Sequence, residues 1–339
     1  MTEEIIKYIE ELCNTPSPTG YTKRAEAYLM EEFKKMGYTP YQNHKGNVIV
    51  PIKEGEGDGL LLSAHVDTLG LMVRSIKGNG RLRVTTLGGF PLSYTEQENV
   101  TIITREGKEY TGTVRINEPA VHGSSDPKDA TRDDLHMEVV IDAITNSAED
   151  TEKLGISAGD FIALDPRFMR TNGYIKSRHL DDKASAGVLM GLAKAIKDEN
   201  IEVNRPLYLM FTIYEEVGHG ASSGHPAGIT DMVAVDMGVV YDDLKTDETK
   251  VSICAKDSSG PYNYDLTNDL IKIAKANDID YAIDIYPFYA SDASAAVASS
   301  NDYRHALVGA GVAASHGYER THEDGIKGLY NLLKVYITE

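Results

Sequence analysis

The segment TIYEEVGHGA runs an apolar stretch into two adjacent carboxylates, Glu215 and Glu216, and then into a glycine-rich turn. Successive side chains of a strand point to opposite faces, so inside a sheet one of these glutamates would be buried without a partner. At a strand end both reach the same crevice. The same kind of ending recurs along the chain. GLLLSAHVD closes an apolar run on His65 with Asp67 following, and DMVAVD closes on Asp236. RHLDDKASAG presents Asp181 and Asp182 before a helical pattern, and VAASHGYERTH offers His316 and His322 after another apolar run. Ligand sites of open α/β sheets lie outside the carboxyl ends of the strands. Strand ends bearing Asp, Glu and His together predict a metal site at that edge.

Mixed imidazole and carboxylate donors suit zinc, cobalt or, as a further option, manganese, whereas calcium and magnesium sites are built mainly from oxygen. A carboxylate that reaches two ions bridges them, and two ions roughly 3.5–4 Å apart hold both attacking and leaving oxygens. A neighbouring carboxylate free of metal can take the proton of the activated water. Glu215 and Glu216 therefore divide the work, one as general base and one as ligand. Asp67, in His-x-Asp, is expected to accept from the ring of His65 and fix it. Asp292, in SDASAA, reads as a helix N-cap, while His219 and His225 read as loop histidines. Gly309-x-Gly311-x-x-Ala314 is a partial dinucleotide fingerprint, but that motif needs a helix opening at its glycines. A turn or close-packed strand fits better. There is no Gly-x-Ser-x-Gly or P-loop, and Cys13 and Cys254 have no histidine nearby in sequence, which leaves a serine or cysteine nucleophile without support.

The elements that must position these residues follow from periodicity. Residues 2–13 and 21–36 carry helical spacing, and GNVIVPI and GLLLSAH read as strands. From Gly70 to Asn172 the texture changes to short β-branched runs such as RLRVTTL, VTIITREGKEYTGTVRI and FIALD, which predict an inserted β-rich module of small-barrel type. Helices and apolar strands then alternate: DKASAGVLMGLAKAIKDEN, PLYLMFTIY, DMVAVDMG, NYDLTNDLIKIAKAN, YAIDIYPF and GIKGLYNLLKVYITE. The expectation is an α/β catalytic domain, residues 1–70 and 173–339, with a central mixed, mostly parallel sheet between helices. Residues 71–172 form the insert.

The 339 residues are 41% hydrophobic and 25% charged, an ordinary globular balance. Lys+Arg of 34 against Asp+Glu of 52 leaves a net charge of −18, which argues against nucleic acid and anionic membranes as partners. Two widely spaced cysteines read as free thiols in a reducing cytoplasm. The acidic, amphipathic start lacks the features of a signal peptide, and no apolar run approaches the roughly 18 residues of a membrane span. A cytoplasmic enzyme is expected.

SAHVDTLGLMV, LDDKASAG, TIYEEVGHGA, AVDMG, SDASAA and HGYE occur in the order and spacing of the dinuclear-metal aminopeptidases. Over nearly its whole length the chain resembles the branch with glutamyl and deblocking aminopeptidases, including tetrahedral dodecamers and members once labelled endoglucanases. The resemblance implies two divalent ions per subunit, with His65 and Asp236 on one, Glu216 and His316 on the other, and Asp181 bridging. It makes Glu215 the general base and Asp67 the residue behind His65. Asp182 and Asp292 would lie behind the ligands, with a cis peptide joining Asp181 to Asp182. The implied reaction releases N-terminal residues from peptides with a free N-terminus, and the implied assembly is a homo-oligomer such as a dodecamer. The chain departs from the family pattern in the shorter VGHGA turn and in HGY after the last histidine. His322 therefore competes with His316 for the last ligand position, with His316 favoured because Glu319 completes the family's His-x-x-Glu. The alternatives are a metal-dependent deacylase of a small N-acylated metabolite, a catalytically silent metal-stabilised scaffold, and a glycosidase. The glycosidase leaves the histidines without a role.

Overall fold

The computed structural model describes residues 1–123 and 127–339. Four parallel strands, Leu207–Thr212, Gly59–His65, Ile229–Val235 and Arg304–Val312, lie side by side in that order at the centre of a nine-stranded sheet. Gly59–His65 is buried at every position, as expected for a strand covered on both faces. Antiparallel Val48–Lys53 and the short Tyr41–Gln42 extend one side. Val251–Lys256, antiparallel to Arg304–Val312, and its parallel neighbour Tyr281–Ile285 extend the other. Gly238–Val239 adds a short parallel pairing to Arg304–Val312. The mixed, mostly parallel sheet expected from the sequence is the one that forms.

Alternation within the strands feeds two cores. Leu60 and Leu62 pack with Ile5, Ile9, Leu189 and Leu333 from the helices on one face, while Leu61 joins Met210, Met232, Ala293 and Ala296 on the other. The helix Thr2–Cys13 lies directly on the helix Leu180–Asp198. Added Cβ atoms on Gly187 and Gly191 would stand 2.5 Å from Ile9 and 2.3 Å from Ile5. Those glycines permit the close approach that fixes where the second helix, with Asp181 and Asp182 at its start, meets the sheet.

Shortly after His65 the chain leaves the sheet for a closed six-stranded barrel. Its order is Gly70–Ile76, Leu82–Leu87, Met137–Ile141, Glu109–Ile116, Asn99–Ile103 and Phe161–Leu164, the last pairing back on the first. Leu71, Val84, Ile102, Val114, Val139 and Ile162 fill a core of its own. The barrel is fastened to the segment leading into the helix Leu180–Asp198 by a buried ion pair, Arg178 Nε to Glu98 Oε2 at 2.8 Å, and Arg178 also donates to the Gly317 carbonyl at 3.3 Å. A small antiparallel sheet, Met169–Thr171, Tyr174–Ser177 and Glu319–His322, returns the chain to the main body.

The VGAG segment is strand, not nucleotide loop. Gly309 sits where an added Cβ would stand 1.8 Å from the carbonyl oxygen of Asp236, and Gly311 where one would stand 2.0 Å from that of Asp247. Backbone cannot move aside as a flexible side chain would, so overpacking here costs at least the usual ~1–3 kcal/mol. Gly309→Ala is expected to lower the thermal midpoint by about 2–6 °C. An unchanged melting curve would show that Asp236 does not lie against this strand.

Candidate metal centre

The carboxyl ends of the four parallel strands converge on one crevice. His65 ends its strand, Asp236 directly follows Val235, and His316 lies just beyond Val312. Glu215 and Glu216 are not on the strand itself. The strand stops at Thr212, Tyr214 turns the chain through a left-handed conformation (φ 72°), and the pair occupies a single 3-10 turn, Glu215–Val217. The turn, rather than strand alternation, puts both side chains on one side. Asp181 and Asp182 have non-helical dihedrals at the start of their helix and are joined by a cis peptide.

Asp181 is the geometric centre. Its Oδ1 lies 3.0 Å from His65 Nε2 and its Oδ2 3.4 Å from His316 Nε2, so each oxygen faces a different imidazole. Glu216 Oε2 is 3.5 Å from His316 Nε2, and Glu215 Oε2 is 3.8 Å from His65 Nε2. One ligand atom each from His65, Asp182 and Asp236 lies within 4.8 Å of the others. Asp182 is thus closer to the cluster than a supporting residue need be, and its Oδ2 accepts from the His65 amide at 3.2 Å.

The supporting contacts differ in part from expectation. The His65 ring Nδ1 lies 3.0 Å from the backbone carbonyl of Asp67, with that residue's carboxylate farther off at 3.7 Å. The Asp67 carboxylate instead accepts from the amides of Glu215 (3.1 Å) and Glu216 (3.3 Å) and from the Thr19 hydroxyl (2.7 Å). It therefore anchors the glutamate turn, because fully buried charge goes where N–H donors are available. Asp292 is not the N-cap of its helix. Ser291 fills that place, while Asp292 accepts from Ala221 N at 2.7 Å and from the Thr212 hydroxyl, bracing the chain on either side of the glutamates.

His322 is not part of the cluster. Its Nδ1 accepts from Asp324 N at 3.1 Å, capping the helix Glu323–Tyr336, and its ring stands edge-on to Tyr174. A side chain committed to a helix start on the three-stranded sheet cannot also reach the crevice. His316 reaches it, its Nδ1 held 2.7 Å from the Gly89 carbonyl of the barrel. His219 stacks on Tyr214, and His225 contacts Asn301, as loop histidines do.

Glu319 emerges as a further organiser. Its Oε2 accepts from Asp181 N at 3.0 Å and its Oε1 from His316 N at 2.9 Å. The only trace of this in the sequence is the spacing His-x-x-Glu. Asn47, which accepts from Ile213 N at 3.0 Å, left no trace at all, since its partner is remote along the chain.

Charge is concentrated here without a protein counterion. Among the described residues, no lysine or arginine pairs with Asp181, Asp182, Glu215, Glu216 or Asp236. Burial, reinforced by neighbouring carboxylates, pushes Glu215, Glu216 and Asp182 well above the usual range, and burial with the charge of Asp181 takes Asp236 up to about 7. Burial opposes protonation of His316, but Asp181 and Glu216 outweigh it and hold the ring up to about 10. Burial likewise works against ionised Asp181, yet hydrogen bonds from His316 and His65 keep it below its ordinary value. Oδ1 of Asp182 is buried with no hydrogen-bond partner. A buried carboxylate cluster with an orphaned oxygen and two inward imidazoles fits divalent metal. The groups open onto a cavity of about 480 Å³, which also reaches Tyr94 of the barrel side.

Residues 46–332 match the M42 glutamyl aminopeptidase family. This chain is a member of that family. Its members are metal-dependent, and the chain is accordingly a peptidase hydrolase with aminopeptidase function. YhfE of Bacillus subtilis (strain 168), which carries an aminopeptidase name, is 42% identical over 98% of this chain and 96% of its own length. The lysyl aminopeptidase of Pyrococcus furiosus is 25% identical over 72% of this chain and 68% of its own. The solved Pyrococcus horikoshii TET1 peptidase superposes with a TM-score of 0.86 at 25% identity, covering 99% of each chain. The mixed sheet and closed barrel seen here match the TET aminopeptidase fold.

The geometry separates the two rival histidines experimentally. His316→Ala is expected to lose bound metal, measured by elemental analysis after gel filtration. His322→Ala is expected to keep its metal and lose only a cap worth about 0.5–2 kcal/mol of stability. Metal loss in the second variant alone would reverse the assignment.

Proposed function

We propose that the chain is a two-metal aminopeptidase that releases N-terminal residues from peptides with a free N-terminus. The observation that carries this reading is the Asp181 carboxylate, one oxygen toward His65 and the other toward His316. That is the arrangement required of a ligand shared between two ions. His65, Asp236 and the adjacent Asp182 would hold one ion, Glu216 and His316 the other. Once bound, the ions, zinc or cobalt foremost, would supply Lewis acidity at the substrate carbonyl and a more acidic water.

The two glutamates differ in access. The Glu215 side chain is 14% exposed, whereas that of Glu216 is 3% exposed and lies against His316. Glu216 accordingly serves as ligand. Glu215 takes the proton of the attacking water on its carboxylate and returns it to the nitrogen of the leaving amine. Asp67, by accepting both glutamate amides, keeps Glu215 aimed at the scissile bond. The carboxylate-rich floor receives the free α-amino group, favouring cleavage at the N-terminus over internal bonds.

Residues 1–70 and 173–339 would carry the chemistry, and residues 71–172 would shape access and subunit contacts. Ile144 on the insert is 96% exposed and Val121 69%, apolar surface that a homo-oligomer would cover. TET1 assembles into a tetrahedron or an octahedral shell, and a dodecamer is the assembly proposed for this chain. Among the described residues no helix is long and apolar enough to cross a membrane. With both thiols free and buried, the cytoplasm is the proposed compartment.

Release of amino acids from a mixed unblocked peptide library is expected to stop with a chelator and return with zinc, cobalt or manganese. Glu215→Gln should lower kcat by about 10²–10⁴ with metal content retained. Turnover confined to N-acylated small molecules would replace this reading with a deacylase, and full activity in Glu215→Gln would remove the catalytic role altogether.

A further inference from the structure

The cavity has two unlike halves. One is the metal cluster. The other is walled by Pro91 and Tyr94 from the barrel side, Met237 and Val239 after the Asp236 strand, and Phe288 and Tyr289 from the loop before the helix Asp292–Ala298. The remaining lining residues outside the cluster are glycine, alanine and serine. Among the described residues, no lysine, arginine or further carboxylate lines this half. The Tyr289 hydroxyl donates to the Met237 carbonyl, 3.3 Å off, and lies beside the Asp236 carboxylate, so it is engaged at the edge of the cluster. Phe288 is 98% exposed at the mouth, a large aromatic side chain with almost no protein covering it.

We propose that these walls form the pocket for the substrate's N-terminal side chain, and that they select uncharged apolar residues such as leucine, methionine and phenylalanine over glutamate and lysine. The inference rests on the aminopeptidase reading above and adds the substrate class. A charged side chain entering an apolar pocket leaves water without gaining a partner, which is costly. A glutamyl side chain would also face the carboxylates of the cluster. A lysyl side chain would find no carboxylate beyond the metal ligands and Glu215, which is occupied with the proton of the attacking water. An apolar side chain instead exchanges water for Met237, Val239 and the two aromatic rings, with Phe288 closing over it. The specificity expected here differs from both the family's glutamyl description and the lysyl activity named for the Pyrococcus furiosus relative. The difference follows from the absence of a cation, or a spare anion, in the wall.

The test pairs turnover with binding. On tripeptides X-Ala-Ala with the metal-loaded enzyme, kcat/KM for X = Leu, Met or Phe is expected to exceed that for Glu and Lys by about 100-fold. Binding of free leucine, methionine, glutamate and lysine to metal-loaded Glu215→Gln is measured in parallel by calorimetry, with the same order expected. Equal binding of all four, or preference for glutamate or lysine, overturns the pocket. Preferential binding of leucine and methionine without cleavage of any peptide upholds the pocket while the aminopeptidase reading falls. Phe288→Lys removes no core packing and places a cation at the mouth. It should raise the glutamyl-to-leucyl ratio at least about 10-fold, mainly through KM. An unchanged ratio would remove Phe288 from the pocket.

Discussion

The molecule is organised around a concentration of buried negative charge. Asp181, Asp182, Glu215, Glu216 and Asp236 meet at the carboxyl edge of one sheet with two histidines and, among the described residues, no lysine or arginine paired to them. Like charges in a low-dielectric site cannot all ionise alone, and uncompensated buried charge destabilises strongly. A divalent cation resolves the conflict because it answers several carboxylates at once. Metal affinity and the integrity of this edge are therefore the same physical matter.

The rest of the structure limits how the cluster can relax. Several of the converging segments are held through backbone amides by buried carboxylates. Asp67 takes the amides of the glutamate turn, Glu319 those of Asp181 and His316, and Asp292 the amide of Ala221. Lys45 reaches the carbonyl of Gly220 at 2.9 Å, and Asn47 reaches it at 3.2 Å, bracing the turn from outside. These are buried acceptors satisfied by N–H groups, so the same bonds that lower the cost of burying them also set the geometry of the ligands.

The barrel contributes more than bulk. Its loop supplies the Gly89 carbonyl that orients His316 and the Tyr94 wall of the cavity, and Glu98 ties it to Arg178 beside the catalytic segment. Access to the cavity and the orientation of His316 are thus coupled through one inserted module.

The residues that converge on the crevice could be read in advance because strand ends carrying Asp, Glu and His are expensive anywhere except around a cation. The central strands were legible for a similar reason: burial on both faces demands continuous apolar runs. Val251–Lys256 was not marked, since six residues flanked by charge resemble any short apolar patch until Arg304–Val312 supplies its partner. Only the tertiary structure decided between His316 and His322. Both follow the same apolar run, and the difference lies in where a helix starts and which ring its first amides engage. It also moved Asp67 from the His65 ring to the glutamate amides, assigned the cap to Ser291 instead of Asp292, and brought Asp182 into the cluster. Residue type announces that a charge needs a partner. Which partner it finds depends on segments distant in the chain, and folding alone brings those together.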